Sequence, residues 1–220
     1  MSSVNDLSGM SQDFQEALGH LRRTPYRAGV ELTEIPAPTH LAPFAAAVQA
    51  EVRRPDLLDA PAAGAVVVPR TGAPFPSAEP GARGPDDELA TGRFVLLYDP
   101  SEPEAWGGPF RIVTWARAAA DREIGCDDTA GVLAWSRLLE ALDRHRAGYS
   151  REGGTASRVL AEGFGSLGDQ AEGADVELRA SWTPDGPDVE PHLAAWADTV
   201  CTFAGLPPYP RGVTVLHPRR

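Results

Sequence analysis

The 220-residue chain sets 31 acidic against 20 basic side chains for a net charge of −11, and every basic residue is Arg. Without a Lys there is no Schiff-base nucleophile, no catalytic lysine and no Walker A loop, and the acidity opposes general binding to a phosphate backbone. Hydrophobic residues at 42% and charged residues at 23% match an ordinary globular domain.

Residues 1–10 carry no periodic pattern and are expected to be disordered, ahead of a single domain over 11–220. Phe14, Ala17, Leu18 and Leu21 recur at helical spacing behind Ser11 as N-cap, which predicts a helix from Gln12 to Arg22. Val30 to Ile35 alternates with period two and reads as a short strand stopped by Pro36. Leu41, Phe44, Ala45, Val48 and Val52 fit one helical face and predict a second helix from Pro43 to Arg53. From Pro55 to Pro85 prolines recur on a Gly/Ala/Ser background, so a mobile loop is expected at about 69–90, with Ala65 to Val68 as an edge strand.

The second half is more regular. Arg93 to Tyr98 and Phe110 to Arg117 read as strands, Val132 to Arg144 as a helix, Ser157 to Glu162 and Val176 to Trp182 as strands, and His192 to Ala204 as a last helix before Gly205. Val213 to Leu216 is a further extended candidate. The order strand, strand, helix thus occurs twice and suggests a ββα pseudo-repeat. The expected fold is α+β: a mainly antiparallel sheet, helices packed on one face, and an N-terminal helical extension. Its core would include Phe94, Leu96, Phe110, Ile112, Leu138, Leu139, Leu142, Val176, Leu178, Trp182, Leu193, Trp196 and Val200.

Chemical motifs are few. Gly163 to Gly168 spells GxGxxG, but too few residues separate it from the next strand for the helix that a dinucleotide site needs. The five histidines are scattered and neither Cys126 nor Cys201 stands at metal-ligand spacing, so neither metal nor cofactor is predicted. Carboxylate clusters (Asp86-Asp87-Glu88, Glu102 with Glu104, Asp127-Asp128) are expected in loops rather than in a cleft that would separate their pKa values. Two cysteines, no membrane-length apolar run and no leader-like start make a reduced cytoplasmic protein the expectation.

Alternation is more informative. Arg111, Val113, Trp115 and Arg117 share one face of their strand, and Glu177, Arg179 and Ser181 one face of theirs. With the helices on the apolar side, the other face is expected to carry Arg111, Trp115, Arg117, Arg158 and Arg179. Arg beside an aromatic suits planar, anionic or peptide partners. The competing expectation is that the N-terminal helices cover this face, or that Arg and Glu pair across strands.

Five segments, EIPAPTHLAPFAAAVQAEV (34–52), DELATGRFVLLYDP (87–100), FRIVTWARA (110–118), LRASWTP (178–184) and HLAAWADTVCTFAGLPP (192–208), resemble an actinobacterial family known only as domain of unknown function three thousand. That resemblance supplies no activity, cofactor or catalytic residue to carry over. The leading expectation is therefore a non-enzymatic protein-interaction module with an unknown protein partner and no membrane, binding through the Arg/Trp face or the Pro-rich loop. One alternative is a small-molecule or nucleotide-handling enzyme with Asp99, Trp106, Gly107, Gly108 and Ser166 at a sheet end. A second, implied by the resemblance, is an accessory role in RNA processing, although direct nucleic-acid binding is opposed by the charge.

Overall fold

The computed structural model describes residues 11–24, 30–53, 88–120, 127–165 and 173–206. Its elements run α1 (Gln12–Arg23), β1 (Val30–Ile35), β2 (Phe44–Arg53), β3 (Glu88–Tyr98), β4 (Phe110–Ala120), α2 (Ala130–His145), β5 (Tyr149–Ala161), β6 (Gly173–Pro184) and α3 (Glu190–Phe203). The six strands form one sheet in the order β1-β2-β3-β4-β6-β5, with every pairing antiparallel. The architecture is α+β, with one helix N-terminal to the sheet. The strand-strand-helix order does occur twice, without by itself making the two halves a repeat.

Each strand puts alternate side chains on one layer of core. Phe94 and Leu96 of β3, Ile112 of β4 and Trp182 of β6 are buried against Leu138 and Leu142 of α2 and Leu193 and Trp196 of α3. All the predicted core residues are buried except Leu139, which is partly buried at the cluster edge. The same side takes α1. Ser11 caps it by accepting from the Asp13 amide at 3.2 Å, and its Phe14 ring packs 5.7 Å from both Phe44 and Tyr98. The Tyr98 hydroxyl reaches back to Ser11 Oγ at 2.8 Å, so one residue both caps the helix and ties it to β3. Helix α2 is held to α3 at its C-terminal end, where His145 Nε2 meets the buried Asp198 carboxylate at 2.8 Å.

Two expectations are corrected. Residues 44–53 are a strand, not a second helix. Phe44, Ala46, Val48, Ala50 and Val52 also satisfy a period of two, because an Ala-rich segment accommodates both periods. Ladder pairing with β1 on one side and β3 on the other then overrides helix propensity. The third strand of the second half starts at Tyr149 rather than Ser157. Between Ser150 and Gly153 it holds a bulge, with Arg151 at φ 54°, and Gly153-Gly154 continue the strand instead of ending it. Gly154 is required there: a Cβ would stand 2.5 Å from the Arg179 carbonyl oxygen and 2.9 Å from the Trp135 ring. The 1–10 segment, the Ala65 to Val68 run and Val213 to Leu216 lie outside the described residues, as does the 69–90 loop up to residue 87; Glu88 to Ala90 already belong to β3.

Candidate functional site

All three described helices bury their apolar faces on the same side of the sheet, leaving the opposite side without a described helix. Strand register orders that side into rows. One row crosses all six strands as Thr33, Gln49, Arg93, Trp115, Arg179 and Thr155. Directly opposite residues of antiparallel strands sit about 5 Å apart at Cβ, so Trp115 is flanked on its own face by Arg93 and Arg179. The neighbouring row runs Ile35, Ala47, Val95, Val113, Ser181 and Gly153. Where these two rows reach β6 and β5, glycine removes side chains and a shallow depression of about 340 Å³ opens, walled by Val113, Gly153, Thr155, Arg179 and Ser181.

The five sequence-predicted residues take different roles. Trp115 and Arg179 lie side by side in the row; the Arg179 side chain is 69% exposed and its contact to Glu177 is a loose 3.6 Å. Arg111 shares the face but works internally. Its guanidinium donates to the Arg151 carbonyl at 2.9 Å, to Thr183 Oγ1 at 3.1 Å and to Ser181 Oγ at 2.6 Å. These bonds clamp the bulge of β5 to β6. Burial first, and then the nearby Arg151 charge, push the Arg111 pKa below its ordinary value. Arg117 is tied across the strands to Asp175 at 2.6 Å.

Arg158 does not join them. Its register partner is Val176, on the helix-covered side, and its guanidinium reaches Asp128 below α2 at 2.8 Å. The sequence expectation for Arg158 is therefore corrected: Arg158 and Leu160 share the helix side, while Thr155, Ser157 and Val159 share the side of Trp115. Arg93 belongs to the row and was missed, although β3 alternates Arg93, Val95 and Leu97 opposite the buried Phe94 and Leu96. Placing it required the β3–β4 register, which the long connection hides.

At the sheet end that an enzyme site would need, the residues serve the loop itself. Asp99 accepts from the Ser101 amide at 2.9 Å and hydroxyl at 2.7 Å, and these two bonds hold its carboxyl below the usual range. The Trp106 carbonyl accepts from Thr183 at 2.6 Å. Gly107, at φ 75°, leaves the space that the Arg151 side chain fills, and Gly108 lies against Thr183. Ser166 lies outside the described residues. Among the described residues no three His, Cys, Asp or Glu side chains gather as a metal site would require, and no described helix is long and apolar enough to cross a membrane.

Residues 10–214 match the family described as Protein of unknown function (DUF3000). The chain belongs to the DUF3000 family. The match covers every described element from α1 to α3, so the sheet, the row and the depression all fall within the DUF3000 domain. Comparison with curated proteins and with solved structures gives no match.

Proposed function

We propose that this DUF3000 protein is a non-enzymatic, cytosolic interaction module that binds another protein through the sheet face opposite its helices. The observation that carries the reading is the row Arg93, Trp115, Arg179 and Thr155 beside the depression. An exposed guanidinium next to an indole offers a planar stacking surface and a fork of donors, which suits a carboxylate or main-chain carbonyl carried beside an apolar side chain. Arg111 and Arg117 are positioning residues in this reading. Their guanidinium groups hold the strands in register and are not the ones offered to a partner.

Affinity capture from native cytosol with the wild-type chain, Trp115→Ala and Arg179→Glu tests it, each variant first matched to wild type by circular dichroism. A protein retained by wild type, lost by both variants and rebound in a purified mixture supports the reading. Equal recovery by all three chains, or a captured nucleic acid in place of a protein, refutes it.

A further inference from the structure

The two edges of the sheet are unlike. β1 is six residues long, whereas β5 is 13 long, pairs only with β6 among the described residues, and is exposed at every position from Ser150 to Ala161. An edge of this length is a template for another strand unless Pro, charge or a bulge blunts it. β5 contains no Pro, and its one bulge ends at Gly153, so nine residues to Ala161 pair with β6 in regular register. Six large apolar side chains are exposed among the described residues, and five of them lie in β5, just after it or in the first turn of α2: Val132, Leu133, Val159, Leu160 and Phe164. That turn sits over the strand, since a Cβ on Gly131 would stand 3.1 Å from the Ala156 Cβ.

We propose that β5 pairs antiparallel with β5 of a second copy of this chain, about a two-fold axis through Thr155, giving a continuous twelve-strand sheet. A two-fold normal to the sheet keeps each side chain on its own face, so one residue must lie on the axis. Charge selects which one. With Thr155 on the axis, Glu152 of each copy faces Arg158 of the other, and the pair forms twice. Moving the axis to Ala156 sets Glu152 against Leu160, and moving it to Ser157 sets Glu152 against Glu162 of the second copy. The bulge shifts the count by one beyond Glu152, so the Thr155 register also places exposed Leu160 opposite Tyr149 of the second copy, both on the helix side. Arg158 now holds Asp128, but that acid is 94% exposed, and a surface pair of this kind is too weak to bind Arg158 against a second acid.

This dimer stands apart from the identity of any binding partner, and it has a consequence for the site. Gly153 and Thr155 form the β5 wall of the depression, so the two depressions would meet across the axis, and each Thr33-to-Thr155 row would run on into its copy.

Sedimentation velocity of the full chain across the micromolar range is the test, with Arg158→Glu, the double variant Glu152→Arg, Arg158→Glu, and Thr155→Cys in a Cys126→Ser background. A concentration-dependent dimer is expected for wild type. Arg158→Glu should weaken it about ten-fold or more, since two cross-strand ion pairs become like-charge pairs. The double variant should restore it, and Thr155→Cys should form an intermolecular disulfide under mild oxidation where Ser157→Cys in the same background does not. A monomer throughout, a dimer indifferent to Arg158→Glu or unrestored by the double variant, or no preference for position 155, overturns the proposal.

Discussion

His192 provides a test in which one buried ring sets an acid limb of stability. It lies at the start of α3, 2% exposed, and its Nδ1 accepts the Trp182 indole N–H at 3.0 Å. The neutral ring must therefore carry its proton on Nε2. Burial lowers its pKa from 6.5 to about 4, with Asp188 opposing the shift only in part. Because the folded-state value is depressed, the contribution is fully present above the unfolded value near 6.5. It is lost as pH falls from there towards about 4, where the folded ring also protonates. Proton linkage between these two values gives a loss of about 2 kcal/mol from pH 7 to pH 5, and about 3 kcal/mol once both states are charged. Urea unfolding of wild type and His192→Asn at pH 7, 6 and 5 measures it, since the Asn side-chain oxygen can accept from Trp182 and does not titrate. The stability advantage of wild type should shrink by about 2 kcal/mol over that range. A difference between the two proteins that stays constant with pH refutes the reasoning.

Other substitutions separate structure from binding. Arg111→Ala removes three hydrogen bonds around the bulge and should cost about 2 kcal/mol, the range for bonds to a partly buried charge, read by denaturant midpoint. Gly154→Ala should cost about 1–3 kcal/mol through overpacking against the Arg179 carbonyl and Trp135, while Gly153→Ala, with nothing within 4 Å of its Cβ, should be neutral or slightly stabilising by thermal melting.

The hairpin-forming strands were legible because one side of each is apolar. Val176, Leu178 and Trp182 alternate with Glu177, Arg179 and Ser181, and a period of two can be read directly when one face is buried. β2 was not legible, since alanines at 45, 46, 47 and 50 satisfy helix and strand periods equally and only the flanking strands decide between them. The start of β5 was hidden by its bulge and paired glycines, which locally look like a turn. For the site, the sequence showed that Arg111, Trp115 and Arg117 share a face and that Arg179 faces away from the core. It did not show that Arg179 stands opposite Trp115, because the β4–β6 ladder joins segments about 60 residues apart with α2 and β5 between them. Arg158 was assigned to the wrong side for the same reason: alternation defines two faces of a strand without saying which of them meets the helices.

The strand order β4-β6-β5 also constrains how the chain can assemble during synthesis. β6 lies between two strands that precede it, so until it is made β4 and β5 have no shared neighbour and each keeps an unsatisfied edge. β1 to β4 can zip up as successive antiparallel neighbours, but β5 must wait, along with α2, for a strand not yet translated. The last steps combine insertion of β6 with docking of α3, whose Trp196 and Leu193 seal the core. Such non-local closure is slow and leaves partly folded chains prone to association through their edges. A stalled or truncated chain ending before residue 173 would thus leave β4 with one unpaired edge and β5 with two, so the final 34 described residues decide whether this end of the sheet closes.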